Sequence, residues 1–419
     1  MNAQTPIRGA HLVKRGKRVA AGTGWSARLV AGGFHRIVDR IDAGLQNGSM
    51  LARLPDGSER LLGGRGEGPA AEIDLVDWNA LLRLATGGSV GWYQAWEARE
   101  WNSPDPVEIF ALFMGNAGHL GGAARAKGPW RWLLRHLHWM HRNSRDRAQT
   151  NIAEHYDLGN DFYAQWLDPT MSYSSARFGE PGEALEPGQR RKMERIASRI
   201  GVTPGCKILE IGCGWGSLAA QLADQGALVS AISLSDQQLA WARAHNAVGR
   251  GCPPAFEKRD YREVDGQFDA VVSVEMLEAV GRQYWPEFVD GLARRLRPGG
   301  RAALQFISIR DELFDAYAAS ADFIQAYVFP GGMLVRTSEL RRLAEARGLA
   351  WEDQEDFGHD YAKTLRMWRA NFDQAVEEGR MPPGFDERFV RLWRYYLMYS
   401  EGGFRGGGID VSQVTLVKR

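Results

Sequence analysis

Apolar and polar positions change their period several times along this chain, and the changes mark its elements. The runs 207–211, 227–232, 255–260, 268–274 and 301–307 are short and apolar, as buried strands are. Between them the stretches 217–225, 236–248 and 284–297 carry the spacing of helices with one apolar face. Such alternation predicts an α/β fold, a doubly wound parallel sheet. Residues 311–346 read as helical and interrupt the pattern, which predicts an insertion over the carboxyl ends of the strands, where a substrate lid belongs. The run 409–417 alternates like a closing strand.

The amino-terminal part has a different texture. Residues 51–62 read as a hairpin around Pro55-Asp56-Gly57, and 77–84 and 107–114 as amphipathic helices. Together they predict a small α+β domain over 41–118, preceded by a basic and mobile arm, 1–40. Glycines at 115–128 and Pro129 mark a linker. The segment 119–150 therefore reads as linker plus a basic, tryptophan-rich helix, and 151–419 as the larger domain.

Composition narrows the class. At 419 residues, 44% hydrophobic and a net charge of +1, the chain is globular and long enough for two or more domains. Cys206, Cys213 and Cys252 form neither a disulfide framework nor a paired metal spacing, which fits a reducing cytosol and no metal. No apolar run approaches the roughly 20 residues that span a bilayer. Charge is uneven, however. Arg125, Lys127, Arg131, Arg135, Arg142, Arg145 and Arg147 alternate with Trp130, Trp132, Leu133, Leu137 and Trp139, a pattern that suits a helix on an anionic membrane surface as well as an interdomain helix. The near-neutral whole argues against nucleic acid as a partner. The expectation is a cytoplasmic protein held peripherally on the inner face of a membrane; a homo-oligomer is compatible with the sequence, which does not set the oligomeric state.

Candidate chemistry begins at Lys207-Ile-Leu-Glu-Ile-Gly-Cys-Gly-Trp-Gly216. A charge at Glu210 inside an apolar strand is costly unless partnered. Gly212, Gly214 and Gly216 let backbone approach a ligand before the next helix begins, which makes a nucleotide cradle at the sheet edge. A dinucleotide site needs an acid closing the second strand, and Ser233, Leu234 and Ser235 stand there instead. Glu210 ahead of the glycines resembles the first motif of S-adenosylmethionine (SAM) methyltransferases.

A second stretch is more specific: His155-Tyr-Asp-Leu-Gly-Asn-Asp-Phe-Tyr163, continuing through Trp166 to Tyr173-Ser174-Ser175-Ala176. With Val274-Glu-Met-Leu-Glu-Ala-Val-Gly281, Phe329-Pro-Gly-Gly332, Phe357-Gly-His-Asp-Tyr361 and Glu401-Gly-Gly-Phe404, it resembles the cyclopropane-fatty-acyl-phospholipid synthase family over about 150–419. The resemblance implies transfer of a SAM methyl group to the cis double bond of an unsaturated phospholipid acyl chain, then proton loss that closes a cyclopropane ring. It implies Tyr173, Ser174 and Gly212–Gly216 at the methionine end of SAM, Ser233 and Gln238 at the ribose, and Asp260 and Tyr261 at the adenine, with Glu210 also among the SAM-binding residues. Ser233 could equally cap the helix that begins near Asp236.

The implied catalytic set is Glu278, Tyr361, Glu352, Ser175, Gln305, Tyr156 and His155. Tyr156, Phe162, Tyr361 and Tyr396 are aromatic candidates for stabilising a cation. In this family a bound bicarbonate takes the proton, held by a carboxylate (here Glu278), a tyrosine (Tyr361), a cysteine and a histidine, with Glu352 in support. The cysteine position is Ser175 and the histidine position is Gln305, which puts bicarbonate, and with it ring closure, in question. Three alternatives stay open: a methyl- or methylene-branched product, a non-lipid SAM methyltransferase, and a lipid-binding scaffold.

Overall fold

The structure, a computed structural model, describes residues 8–14, 31–120, 158–248, 251–320 and 322–419. His155, Tyr156, the basic segment 125–147 and most of the first thirty residues lie outside the described residues. The chain forms two compact units. One takes 1–142, 310–330 and 383–409; the other takes 143–309, 331–382 and 410–419. The sequence reading runs one domain unbroken from 151 to 419. In the structure 310–330 and 383–409 join the first unit, and the stretch read as a lid is divided between the two.

Aromatic packing explains why three separate segments make the first unit. Tyr93, Phe323 and Tyr395, one from each segment, meet with ring centroids 4.7–5.1 Å apart. Each such contact adds about 0.5–1.5 kcal/mol beyond burial. The expected hairpin is there: β1 (Ser49–Arg53) pairs antiparallel with β2 (Glu59–Gly63). β3 (Ala70–Leu75) and β4 (Trp101–Asn102) complete a four-stranded sheet in the order β2-β1-β3-β4. The helix Pro106–Gly115 starts at Asp105, whose carboxylate accepts from the Val107 N–H at 3.0 Å, with Pro106 in the first turn. It packs so closely on the helix Glu387–Arg405 that a Cβ on Gly402 would lie 2.4 Å from the Phe110 Cβ.

The second unit is built on a seven-stranded sheet, β10-β11-β9-β8-β5-β6-β7. Its strands are β5 (Lys207–Ile211), β6 (Leu228–Ser233), β7 (Ala255–Lys258), β8 (Phe268–Val274), β9 (Leu296–Ile309), β10 (Leu349–Asp356) and β11 (Ile409–Lys418). β7, β6, β5, β8 and β9 run parallel in that order, so their carboxyl ends emerge on one edge. The helices Leu185–Ile200, Ser217–Asp224 and Asp236–Asn246 bury Ile196, Leu218, Leu222 and Leu239 against Ile208, Val229 and Val272 of the sheet. The doubly wound sheet read from the sequence is thus present. The edge strand β10 exposes Glu352, Asp353 and Gln354 and lacks the apolar alternation that marks a strand in sequence. No helix of the described residues is long and apolar enough to cross a membrane.

Gly402→Ala is expected to destabilise the first unit by about 1–3 kcal/mol through overpacking, read by urea denaturation. Gly118→Ala, whose added Cβ meets nothing within 4 Å, is expected to stay within about 1 kcal/mol of the parent protein.

Candidate active site

β5 ends in a tight turn. The N–H groups of Gly212 and Cys213 both donate to the Ile232 carbonyl at 3.0 Å, which ties the turn to β6. Gly212, Gly214 and Gly216 all have positive φ, at 83°, 53° and 88°. A Cβ on Gly216 would strike Phe256 at 2.7 Å and one on Gly212 would press on Met276 at 3.0 Å. A Cβ on Gly214 would meet nothing within 4 Å, so this is the open side from which a ligand can approach the backbone. Beneath the turn, Glu210 accepts from the Ala219 N–H and leaves its buried Oε2 without a partner among the described residues. Burial pushes its carboxyl up to about 8, with the Lys192 charge working against that rise.

The aromatic motif braces this turn. Trp215 Nε1 donates to Asn160 Oδ1 at 2.8 Å, and Asn160 Nδ2 donates to the Gln237 carbonyl at 3.2 Å. Ser217 Oγ donates to the Thr170 carbonyl at 2.5 Å. Asn160 and Thr170 therefore hold the glycine turn, and Asn160 also ties it to the start of the helix after β6.

On the next strand, Ser233 Oγ lies 3.2 Å from Gln238 Oε1 and accepts from the Ser235 N–H at 3.2 Å. Ser233 does not cap the following helix; Ser235 does, accepting from the Gln238 N–H. Ser233 and Gln238 are thus brought together at the end of β6. Asp260 is engaged by Arg262 through its backbone N–H and its guanidinium, at 2.5–2.9 Å. Tyr261 packs edge-on against Phe288 at 5.4 Å, and burial pushes its hydroxyl up to about 12.

The segment 172–175 forms a strap across the helix Leu185–Ile200. Gln189 Nε2 donates to the carbonyls of Ser174 (2.8 Å) and Ser172 (3.4 Å), and Lys192 Nζ donates to Ser174 Oγ at 2.7 Å. Tyr173 stands in a cage of Tyr163, Trp166 and Trp368, all with centroids 5.4–5.5 Å away. Thr364 Oγ1 accepts from the Ala176 N–H at 3.1 Å, fixing the strap to the helix Gly358–Glu377 that also carries Tyr361.

The strap delivers Ser175 to a carboxylate, and that carboxylate is Glu275. Its Oε1 accepts from the Ser175 N–H at 2.9 Å and from Gln305 Nε2 at 2.8 Å; its Oε2 accepts from the Tyr361 hydroxyl at 2.7 Å. Gln305 is oriented from behind by Gln413 Nε2, which donates to Gln305 Oε1 at 2.9 Å. Glu275 follows β8 with φ 48°, a left-handed conformation that a non-glycine residue adopts when its surroundings fix it. Burial raises its carboxyl above the usual range, while the three donors and Lys192 lower it. Glu278, one helical turn on, accepts from the Ile307 N–H. Its Oε2 is buried without a partner among the described residues. Burial first, and the Glu275 charge second, push Glu278 up to about 8. Both side chains are half-buried, as groups lining a cleft are.

Ser175, Gln305 and Tyr361 thus converge, but on Glu275 rather than Glu278. Glu352 is not brought to them; it is exposed on the edge strand β10, 4.0 Å from Arg301. Phe162 is fully buried against Tyr163, Trp166 and Phe372 and serves as core. Tyr396 belongs to the first unit, where it packs on Phe329 and Trp393. Sequence reasoning missed Glu275, Gln189 and Lys192. The available signal for Glu275 was a polar side chain directly after a strand at the carboxyl edge; the two helix residues gave none.

Comparison with known proteins adds to this geometry. The family described as mycolic acid cyclopropane synthetase matches residues 143–414. The chain is 38% identical over 356 residues to the tuberculostearic acid methyltransferase UfaA1 of Mycobacterium tuberculosis, covering 80% of each protein. It is 34% identical over 275 residues to the cyclopropane-fatty-acyl-phospholipid synthase of Escherichia coli, covering 65% of this chain and 69% of the relative. The solved structure of mycolic acid cyclopropane synthase CmaA1 complexed with SAH and CTAB matches with a TM-score of 0.61 and 27% identity, over 64% of this chain and 98% of that one. The sheet is that of the class I SAM methyltransferases, and SAM is the co-substrate of this enzyme. The open face of Gly214 and the unpartnered Glu210 oxygen fit such a ligand.

Gly214→Val is expected to weaken SAM binding at least about tenfold in a folded protein, because a branched side chain at φ 53° is strained and fills the open side of the turn. Isothermal titration calorimetry reads the change; unaltered affinity would contradict the placement.

Proposed function

This chain belongs to the mycolic acid cyclopropane synthetase family, and we propose that it methylates the double bond of an unsaturated lipid acyl chain, with Glu275 as the base. The observation that carries this reading is the convergence of three hydrogen-bond donors on the Glu275 carboxylate. A carboxylate that accepts two or three such bonds is favoured in its charged form. Glu278 beside it, pushed up to about 8, is protonated at neutral pH, so the pair holds one negative charge rather than two.

Ser175, Gln305 and Tyr361 are the groups from which a bicarbonate site would be built. Here they are committed to Glu275, and a second anion beside that carboxylate would be repelled. Bicarbonate does not fit this site, and no step is routed through it. Glu278, the sequence candidate for holding that anion, takes the role of the neutral partner.

SAM supplies an activated methyl group. The chain's residues hold it, exclude water and accept a proton. Methyl addition to the alkene leaves a carbocation on the acyl chain, which the Tyr361 ring, placed by its hydroxyl on Glu275, can face. Glu275 then takes a proton from the new methyl carbon. If this happens directly, the C–H electron pair closes a cyclopropane. If a hydride shift moves the cation to the methylated carbon first, the same proton loss leaves a methylene branch. The more extensive likeness to a tuberculostearic acid methyltransferase favours the branched outcome; the likeness to a cyclopropane-fatty-acyl-phospholipid synthase supports a phospholipid as the acyl carrier. Because acyl double bonds lie within the bilayer, the enzyme works at a membrane surface, and a basic segment such as 125–147 suits that surface electrostatically.

Glu275→Gln keeps the shape and removes the base. It is expected to lower turnover by about 10²–10⁴-fold while SAM affinity stays within a few-fold; a fully active variant would refute the assignment. In the parent protein activity requires ionised Glu275, whose carboxyl is raised above 4.5. Activity is therefore expected to be present above that raised value and to be lost as pH falls through it. The acid limb of kcat/KM reads the value directly, and a limb at or below the ordinary carboxylate range would count against the assignment.

A further inference from the structure

Lys192 sits behind the site and takes no part in the reaction as written. It is 2% exposed, in the middle of the helix Leu185–Ile200, and its one hydrogen bond among the described residues goes to Ser174 Oγ. An ammonium in that position is costly compared with an apolar side chain of the same length. Its neighbours Met193, Ile196 and Ala197 show that the helix has apolar alternatives for packing. A buried charge that persists there answers a charge nearby.

Three carboxylates favour its charged form electrostatically: Glu275 at the end of β8 most, then Asp168 from the loop before the strap and Glu210 from β5. Asp168 holds the Thr170 N–H and hydroxyl through Oδ2, at 3.0 and 2.6 Å, while its Oδ1 is buried without a partner among the described residues. Burial favours the neutral form of Glu210. Glu275 is the carboxylate that the reaction needs charged, and it is connected to Lys192 by a short path. Lys192 donates to Ser174 Oγ at 2.7 Å, Ser174 is followed by Ser175, and the Ser175 N–H donates to Glu275 Oε1 at 2.9 Å. The other groups facing Glu275 are Gln305 from β9, Tyr361 from the helix Gly358–Glu377, and Glu278. Two are neutral donors, and the third, Glu278, is the neutral partner of the pair and brings no positive charge. Lys192 brings positive charge to the same place.

We propose that Lys192 is a positioning residue for the base: from behind Ser174 its ammonium holds Glu275 charged and the strap in register, touching neither substrate nor SAM. This rests on the reading of Glu275 as the base. Lys192 is itself lowered to about 8 by burial, so it is charged where the enzyme works at neutral pH.

The test is the pH profile of kcat/KM for Lys192→Met, with Gln189→Met as the control that loosens the strap without removing charge. Lys192→Met is expected to move the acid limb to higher pH, by roughly a few tenths of a unit or more, and to leave SAM affinity within a few-fold. Gln189→Met is expected to lower the rate without moving the limb. An unmoved limb in folded Lys192→Met, with Glu275→Gln inactive, would overturn this inference alone. An equal movement in Gln189→Met would also overturn it, because packing of the strap would then suffice. If Glu275→Gln is fully active, the reading of the base falls, and this inference with it. Should Lys192→Met fail to fold, lysine-selective NMR of the full chain decides. Coupling is reciprocal, so Glu275→Gln must lower the Lys192 titration point by the same amount; an unchanged titration would overturn the inference.

Discussion

Three donors from distant parts of the chain end on one carboxylate. Ser175 comes from the strap, Gln305 from β9 and Tyr361 from the helix Gly358–Glu377, and Glu275 receives all three. An unpaired buried carboxylate costs several kcal/mol, and it keeps its charge only where donors replace water. The rest of the second unit can be seen as the means of keeping those donors in place. Gln413 turns the Gln305 amide toward Glu275, Thr364 anchors the strap at Ala176, and Gln189 holds it at Ser172 and Ser174. Removing any one donor would leave a buried charge partly unmatched, which is why the cluster is expected to act as a unit rather than as a sum of contacts.

The same polar layer connects the base to the SAM turn. Glu210 lies two residues before Gly212, Lys192 is coupled electrostatically to both Glu210 and Glu275, and the turn is clamped by Asn160 and Thr170. A sulfonium donor and a developing carbocation are both positive. A site with one fixed carboxylate, one neutral acid and aromatic faces is complementary to that charge at each stage, and it needs little reorganisation to be so.

Much of this was legible in the sequence, for reasons that differ from residue to residue. The apolar run 207–211 and the three glycines are local features, and β5 with its turn follows them closely. Ser175, Gln305 and Tyr361 were named, because they occupy motif positions. Their target was not, because Glu275 and Glu278 are both acids at the end of one strand. Which of them meets the donors depends on a left-handed φ at Glu275 and a short helical turn after it, neither of which leaves a period in the sequence. Lys192 was invisible for the opposite reason: a lysine in an amphipathic helix reads as solvated, whereas here its ammonium is buried on Ser174 of the strap. Glu352 looked acidic and near the motifs, yet β10 is an edge strand that turns it to solvent. The discontinuous first unit was out of reach because its aromatic contacts join segments more than two hundred residues apart.

In this enzyme the proposed base is part of the chain and not a bound anion. Single-turnover methylation by the parent protein, on vesicles of unsaturated phospholipid, can be followed in carbonate-depleted buffer and again with added bicarbonate. With Glu275 as the base, the rate is the same in both. A rate that collapses on depletion and returns with bicarbonate would contradict this assignment.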